Sequence, residues 1–262
     1  MRIIVKMPNA IYNYKSAFYS FTAPDVIRSA HEIVKIAKDV LNPRSVVDVG
    51  CGTGTWLKVW SDFGVGDILG IDGDWIRPNH LVIPLDRFRS MDLSAPTALV
   101  REYDLVQSLE VAEHLPKAAA EAFVSFLCSL GPVVLFSAAI PYQGGRGHIN
   151  EQWPEYWAEL FMRKGYVAID TIRNRVWDNP NVEWWYSQNI LIFAQAEHLK
   201  SLEGLSELYV VQPQGSLTRV HPRLWLERNG RPLPLEKIVK MLPGSGFQFF
   251  QRAFRKLRNT FN

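Results

Sequence analysis

The stretch Val46-Val-Asp-Val-Gly-Cys-Gly-Thr-Gly-Thr-Trp56 decides the fold of this 262-residue chain. Its first half continues from Ser45 and is rich in β-branched residues, which predicts a buried strand ending at Val49. Its second half has glycine at positions 50, 52 and 54. Glycine lets a backbone turn sharply and approach a ligand closely. The apolar residues that follow predict a helix, whose N-terminus carries partial positive charge. The stretch therefore predicts a strand, a ligand-binding loop and a helix in succession.

Further strand and helix signals alternate along the chain on both sides of this unit. Apolar runs predict strands at Ile68–Ile71, Leu81–Ile83, Leu105–Ser108, Val133–Phe136, Ala168–Ile172 and Asn189–Phe193. Apolar residues at three- and four-residue spacing predict helices over 22–42, with Thr22 as the N-cap, over Lys117–Leu130 and over Pro154–Lys164. Such alternation predicts an α/β fold with a seven-stranded, mostly parallel sheet covered by helices on both faces.

The alternation divides the chain into three regions. Residues 1–23 are irregular and rich in aromatic side chains, and we expect them to form a lid segment at the acceptor site. Residues 24–196 form the predicted α/β domain. Residues 197–262 form an irregular and helical extension that ends in a basic amphipathic helix over 247–262. This helix predicts either peripheral contact with a membrane surface or docking on the domain or on a second subunit.

The composition is that of an ordinary globular protein, with 47% hydrophobic and 21% charged residues. A formal net charge of only +3 argues against nucleic acid as the main partner. The two cysteines, Cys51 and Cys128, form no recognisable framework, which indicates a reducing, cytoplasmic location. The N-terminus lacks the apolar core of a secretory signal, and no apolar run reaches the length of a membrane span. The composition leaves the oligomeric state open.

Three aspartates follow the predicted strands on the side where open α/β sheets bind ligands. Asp48 ends the first strand, where its carboxylate can meet an amino group. Asp72 lies 20 residues after Gly52, a spacing typical of a carboxylate that accepts hydrogen bonds from a ribose diol. Asp92 ends a third strand segment, where it can accept from an adenine amine. A nicotinamide site is disfavoured because Thr55 stands where its third glycine would fall.

This set of glycines and acids resembles the class I S-adenosylmethionine (SAM)-dependent methyltransferases over roughly residues 24–195. The resemblance implies a Rossmann-like fold and SAM as cofactor. It also implies a role for each matching residue. The methionine moiety would lie on Asp48, Gly50, Cys51, Gly52 and Gly54, the ribose on Asp72 and Gly73, the adenine on Asp92 and Leu93, and the sulfonium beside Ser108, Leu109 and Glu110.

The segment after the fourth predicted strand carries Glu110, Glu113 and His114. If this segment is helical, all three side chains share one face. Two carboxylates and an imidazole on one face can bind a divalent metal. Acidic residues are also common in a first helical turn without any ligand. The spacing alone leaves both interpretations open.

The Glu-x-x-Glu-His pattern is similar to one in small-RNA 2′-O-methyltransferases and ubiquinone-pathway O-methyltransferases. The resemblance implies that Glu110, Glu113 and His114 are catalytic metal ligands and that His148 supplies a fourth. Two imidazoles would favour Mn²⁺ or another transition metal over Mg²⁺. Two alternatives stay open. One is a metal-free small-molecule O- or N-methyltransferase that uses His114 or His148 as general base, and the other is an RNA ribose 2′-O-methyltransferase.

The downstream segment Trp184-Trp-Tyr-Ser-Gln-Asn189 combines aromatic faces with hydrogen-bonding ends, which suits sugar rings. For any single one of the two tryptophans, a place in the core is the more common use. The segment is similar to uncharacterised methyltransferases associated with bacterial polysaccharide clusters. That resemblance implies a small-molecule or glycan acceptor, in which a sugar hydroxyl of a bacterial glycan or a nucleotide sugar is methylated. Nucleic acid is a less favoured acceptor because the chain has no dense basic stripe.

Overall fold

The computed structural model describes residues 17–201 and 217–229, with side chains over 24–199 and 217–228. The chain forms an α/β fold, as predicted. The strands are β1 (Ser45–Val49), β2 (Asp67–Asp72), β3 (Phe88–Ser90), β4 (Leu105–Leu109), β5 (Val133–Ser137), β6 (Tyr166–Ile169) and β7 (Leu191–Gln195). The α-helices are α1 (Ala17–Leu41), α2 (Thr55–Asp62), α3 (Ala120–Ser129), α4 (Pro154–Met162), α5 (Arg173–Val176), α6 (Trp184–Asn189) and α7 (Pro222–Asn229).

All seven strands form one sheet in the order β3-β2-β1-β4-β5-β7-β6. The strands from β3 to β5 pair in parallel, whereas β7 is antiparallel to both of its neighbours. The predicted mostly parallel, seven-stranded, Rossmann-like sheet is therefore confirmed. The order reverses direction between β1 and β4, and ligands bind at such a switch point, beyond the carboxyl ends of the strands.

The core lies on both faces of the sheet. Every residue of β1, β4 and β5 is buried, which explains why apolar and polar residues do not alternate regularly along these strands. One apolar cluster includes residues of α1 and α2, and the other includes residues of α3 and α4. The central strands are thus covered on both faces, and their carboxyl ends are held rigidly at one edge.

Two predicted elements differ from the structure, a helix in where it begins and a strand in where it lies. The first helix begins at Ala17, before the predicted cap at Thr22, and it contains Pro24. The predicted strand over Leu81–Ile83 is wrong, because the third strand is β3. The apolar residues of that segment instead cover the glycine loop. Ile83 packs against Gly54, and the Val82 N–H donates to the Thr53 carbonyl at 2.9 Å.

The last two predicted strands are displaced. The predicted Ala168–Ile172 strand begins earlier, at Tyr166, and ends at Ile169; the next residue, Asp170, forms a buried ion pair with Arg173. The strand predicted from Asn189 begins at Leu191, and Asn189 is instead the last residue of α6. The last side chains of α6 therefore lie at the start of β7.

The main compact unit extends to His221, so the segment 217–221 belongs to it. The α7 helix falls in a second unit. The predicted basic helix over 247–262 and residues 1–16 of the predicted lid segment lie outside the described residues, while residues 17–23 begin α1. Within the described residues, no helix has the length and apolar character needed to cross a membrane.

Candidate active site

The loop between β1 and α2 is shaped by three glycines in the left-handed region. Gly50, Gly52 and Gly54 have φ angles of 88°, 54° and 85°, which L-residues with side chains rarely adopt. The N–H groups of Gly50 and Cys51 both donate to the Ile71 carbonyl, at 2.7 and 3.2 Å. The loop after β1 is thereby tied to the end of β2.

Glycine is also required because neighbouring side chains come very close. A Cβ at position 50 would lie 2.3 Å from Val111, and a Cβ at position 54 would lie 2.8 Å from Ile83. The loop therefore lies between Val111, which follows β4, and Ile83, which follows β2. This close packing leaves the backbone of the loop as the surface that a cofactor would meet.

Asp72, the last residue of β2, accepts two backbone hydrogen bonds. Its Oδ2 accepts from the Gly52 N–H and its Oδ1 from the Gly73 N–H, both at 2.7 Å. Burial raises the pKa of Asp72, and these hydrogen bonds oppose that rise. Each carboxylate oxygen keeps a further lone pair, so Asp72 can also accept from two vicinal hydroxyls. The ribose-binding role that the resemblance implies for Asp72 stays a prediction, for which these free lone pairs leave room.

Asp48 is 2% exposed and lies one strand away from Asp72. Burial, and then the charge of Asp72, raise the pKa of Asp48 to about 8. Burial likewise raises the pKa of the Cys51 thiol well above its ordinary value, so this thiol stays protonated and is a poor nucleophile. A cationic group beside Asp48 would favour its charged form. The ammonium of the methionine moiety of SAM is such a group.

The residues expected at the adenine lie near the same edge. Asp92 was expected at a strand end, but β3 ends two residues earlier, and the exposed Asp92 carboxylate accepts from the Ser94 N–H at 2.9 Å. Leu93 beside it is buried. Trp75 was not predicted as a site residue, although its 47% exposed ring packs over Gly73. In the sequence, Trp75 could be noticed only as a lone tryptophan three residues after Asp72.

The segment after β4 is not the helix that the metal prediction assumed. Ser108 and Leu109 end β4 as buried residues, and the next residue, Glu110, is left-handed with φ of 55°. A single 3₁₀ turn over Ala112–His114 follows. Because of this turn, Glu110 does not share a helical face with Glu113 and His114. The helical face assumed for the four predicted metal ligands is therefore absent, and the ligand set itself stays a prediction.

Glu113 is fully buried, and neither of its carboxylate oxygens has a hydrogen-bond partner among the described residues. Burial, and then the charge of Glu110, raise its pKa well above the ordinary value. Its main chain is well held, since the Glu113 carbonyl accepts from the N–H groups of Ile149 and Asn150 at 2.9 and 3.0 Å. An unpaired buried carboxylate is costly unless a proton or a cation neutralises it.

The two imidazoles, His114 and His148, meet edge to face with ring centroids 4.9 Å apart. The Nδ1 of His114 lies 3.2 Å from the Gly147 carbonyl, and the Nδ1 of His148 lies 2.9 Å from Glu151 Oε1. An acceptor at each Nδ1 places the ring lone pair on Nε2. Burial, and then the charge of His148, lower the pKa of His114 to about 4, so this ring is neutral at pH 7.

The structure brings Glu113, His114 and His148 into one cluster, with one ligand atom from each within 4.8 Å of the others. Glu110 is not part of this cluster. Its Oε1 accepts from Asn189 at 3.0 Å and its Oε2 from Gln143 at 3.2 Å. Burial raises the pKa of Glu110, although hydrogen bonds from its neighbours oppose the rise. Sequence reasoning did not assign a role to Gln143 or Glu151.

The Trp-rich segment is used inside the protein. Trp184 and Tyr186 are 7% and 6% exposed, and Trp185 is partly buried. Their rings pack against one another, and the ring centroids of Tyr186 and of Trp56 in α2 lie 5.2 Å apart. The interpretation as core is confirmed for Trp184, and Tyr186 is buried with it, so these two rings join α6 to the core and do not form an open sugar-binding face.

Comparisons with known proteins agree with this geometry. Residues 26–205 match the methyltransferase domain family. Streptomyces venezuelae DesVI is 15% identical with a TM-score of 0.50, and the match covers 73% of this chain and all of that one. The DhpI complex with S-adenosylhomocysteine (SAH) is 20% identical with a TM-score of 0.45, covering 69% and 87% of the two chains.

The methyltransferase domain of bacterial CtHen1 is 19% identical with a TM-score of 0.48, and the match covers 64% of this chain and 98% of that one. No curated protein matches the sequence significantly. At 15% identity DesVI shares the fold alone, whereas the family match spans more than half of the chain. The chain belongs to the methyltransferase domain family and is a SAM-dependent methyltransferase of class I fold.

Proposed function

We propose that this methyltransferase transfers the methyl group of SAM to a hydroxyl oxygen of a sugar, and that the Glu113–His114–His148 cluster holds a divalent metal beside that oxygen. The observation that carries the proposal is the fully buried carboxylate of Glu113 without a hydrogen-bond partner among the described residues, adjacent to two imidazoles. A cation at the cluster would neutralise this carboxylate, whose burial is otherwise unfavourable.

The donor set fits such a metal. His114 donates through Nδ1 to a backbone carbonyl and His148 to a carboxylate, which is the usual outer support of metal-ligating histidines. The low pKa of His114 keeps that ring in its neutral, ligating form. One carboxylate and two imidazoles favour Mn²⁺, Fe²⁺ or Co²⁺ over Mg²⁺. When bound, such an ion lowers the pKa of a hydroxyl group in contact with it.

The other residues of the site would divide the remaining work. Asp72 and the glycine loop would hold the cofactor, with its sulfonium toward the end of β4. Glu110, at the end of β4, would accept a hydrogen bond from the sugar substrate and so orient the hydroxyl group that is methylated. The nucleophilic oxygen forms a bond to the methyl carbon as the carbon–sulfur bond breaks, and SAH is the product. The proton released must leave through the solvent or a neighbouring base.

The sugar class is supported by exposed side chains on the loop that carries His148. Tyr142, Ile149 and Trp153 are 83%, 54% and 41% exposed. Glu151 joins both ends of this loop, because it accepts from the Tyr142 N–H and from His148. Exposed aromatic faces beside hydrogen-bonding groups suit the C–H faces and hydroxyl rims of sugars. The acceptor would be a sugar of a bacterial glycan or of a nucleotide sugar.

A metal-independent reaction is the second candidate, and the contact between Glu151 and His148 favours it. A carboxylate that accepts from His148 Nδ1 orients the ring and leaves Nε2 as its free acceptor. His148 would then remove the hydroxyl proton as a general base. In this case Glu113 would carry a proton, consistent with its raised pKa.

Turnover after removal of metal separates the two candidates. The assay measures SAH release with a panel of sugars, nucleotide sugars, amines and nucleosides as acceptors. With a bound metal, EDTA abolishes turnover, Mn²⁺ restores it, and Glu113→Gln prevents the restoration. Glu121→Gln, an exposed position on α3, is the matched control and should behave like wild type. Full turnover by enzyme shown by mass spectrometry to be metal-free would refute the metal. Preference for an amine or a nucleobase would refute the sugar hydroxyl.

A further inference from the structure

Three side-chain amides form a connected hydrogen-bond network behind Glu110. Gln188 Nε2 donates to Gln143 Oε1 at 3.0 Å and to Asn189 Oδ1 at 2.9 Å. Asn189 Nδ2 donates to Gln143 Oε1 and to Glu110 Oε1, both at 3.0 Å. Gln143 Nε2 donates to Glu110 Oε2 at 3.2 Å. The three amide side chains are buried, and both amide hydrogens of Gln188 and of Asn189 are used.

Two backbone N–H groups set the direction of this network, because a backbone N–H can only donate. The His221 N–H donates to Gln188 Oε1 at 2.9 Å, which turns the Gln188 amide nitrogen toward Gln143 and Asn189. The Ile140 N–H donates to Gln143 Oε1 at 3.2 Å, which turns the Gln143 amide nitrogen toward Glu110. The chain of donors therefore ends at the carboxylate of Glu110, which receives one N–H from Asn189 and one from Gln143.

We propose that Gln143, Gln188 and Asn189 are positioning residues that, together with the backbone of segment 217–221, fix the Glu110 carboxylate as a hydrogen-bond acceptor at the methyl-transfer site. Each carboxylate oxygen of Glu110 receives one amide N–H, so the carboxylate plane cannot rotate without breaking a buried hydrogen bond. The left-handed backbone of Glu110, with φ of 55°, is a strained conformation that the surroundings must hold in place.

The segment 217–221 is anchored independently of the network. The fully buried Arg173 donates from one nitrogen to the carbonyls of Leu217 and Gln188, at 2.7 and 3.1 Å. Its other nitrogens form a two-point ion pair with Asp170, which also pairs with Arg219 at 2.8 Å. Arg173 therefore binds the segment and α6 together, and it holds the His221 N–H over the Gln188 side chain. Residues far downstream of the strands thus take part in the site.

A kinetic experiment tests the proposal with the acceptor that the wild type methylates best. Gln188→Met removes both the acceptor and the donors, whereas Gln188→Glu keeps an oxygen for the His221 N–H and removes the donors. Both variants should lower kcat about tenfold to a hundredfold, while SAH affinity by calorimetry changes by less than about twofold. Gln195→Met, an exposed position at the far end of β7, should match wild type.

A second experiment needs no acceptor, so its outcome is independent of the sugar proposal. Spectra of protein labelled with ¹⁵N in asparagine and glutamine side chains, recorded with SAH, report the network directly. Both Glu110→Gln and Asn189→Asp preserve size. Glu110→Gln replaces one acceptor oxygen with an NH₂ donor, and Asn189→Asp removes the donors of Asn189. Glu110→Gln should shift the side-chain amide signals of Asn189 and Gln143 and leave that of Gln195 unchanged.

Two results would overturn the proposal. One is amide signals of Asn189 and Gln143 that do not respond to Glu110→Gln, which would show that these amides do not donate to Glu110. The other is a folded Gln188→Met with kcat within about twofold of wild type, which would show that the network is structural only. Absence of turnover with every sugar would refute the acceptor class and leave the spectroscopic result to decide the network.

Discussion

The carboxylate of Asp72 and the backbone N–H of Gly52 are joined by a hydrogen bond of 2.7 Å, across 20 positions of sequence. The other oxygen of Asp72 accepts from the Gly73 N–H at the same distance. The residue expected to bind the ribose therefore also sets the shape of the loop expected to bind the methionine moiety. The two halves of the cofactor site are linked through one side chain.

This link predicts the effect of Asp72→Asn. Whichever way the new amide turns, its NH₂ group faces a backbone N–H, and one acceptor for the ribose is lost. We expect SAH affinity, measured by calorimetry, to fall by about 1.5–3 kcal/mol. Asp74→Asn, at an exposed position two residues on, is the matched control and should bind SAH like wild type. Equal affinities of the two variants would contradict a role for Asp72.

The close approach of Gly50 to Val111 predicts a loss of stability in Gly50→Ala. The new Cβ would overlap Val111, and the φ of 88° is unfavourable for alanine. We expect urea unfolding to show a loss of about 2–5 kcal/mol. Gly64→Ala has a similar φ of 90° with no atom within 4 Å of its Cβ, so it isolates backbone strain, about 1–2 kcal/mol. Equal losses would rule out the steric contact.

Glu151 predicts a positioning effect on His148. Its carboxylate accepts from the N–H groups of Tyr142 and Gly144, at 2.8 and 2.6 Å, and from His148. Glu151→Gln keeps the size and removes the charge, so Mn²⁺ affinity should fall about tenfold to a hundredfold. Glu159→Gln, at an exposed ion pair on α4, is the control. If the reaction needs no metal, Glu151→Gln lowers turnover and Mn²⁺ has no effect. Unchanged affinity and turnover would contradict both roles.

Asp48 predicts a pH-dependent gain of stability on substitution. Its folded-state pKa of about 8 lies above the ordinary value of 3.8, so the folded protein keeps a proton that the unfolded chain releases. This contribution to stability is present at low pH and is lost as pH rises toward 8, by at most about 1.4 kcal/mol per pH unit. Asp48→Asn mimics the protonated form and should gain stability relative to wild type over this range.

The measurement is urea unfolding of the cofactor-free protein at pH 5 and pH 7.5. The advantage of Asp48→Asn should be larger at pH 7.5, while its affinity for SAH should be lower than that of wild type. Asp39→Asn, at an exposed position on α1, is the control and should show no such trend. An advantage that is constant or shrinks with pH would show that Asp48 is not protonated in the folded protein.

The fold could be predicted because its signals are local. The strand before Gly50 is rich in valine and lacks regular polar alternation, which is typical of buried parallel strands. The third strand could not be found, because β3 has only three residues and none is buried. Leu81–Ile83 looked like a strand because its apolar side chains cover the glycine loop, a contact that is made only in the folded chain.

Site residues that directly follow a strand could be predicted from the sequence. Contacts between segments that are far apart in the chain could not. Glu113, His114 and His148 do come together, whereas the carboxylate of the left-handed Glu110 binds Asn189 and Gln143. Nothing in a Glu-x-x-Glu-His spacing signals a positive φ at its first residue. The contact between Glu110 and Asn189 spans 79 positions, a separation at which local periodicity carries no information.

The reversed direction of β7 has a consequence for how this sequence can change. Because β7 runs antiparallel to β5, its first residue lies at the same edge of the sheet as the last residues of the parallel strands. Side chains just before β7 therefore lie beside side chains that follow the parallel strands. Only Ile190 separates α6 from β7. A single inserted or deleted residue there would turn Asn189 away from Glu110, so this junction should tolerate substitutions far better than changes in length.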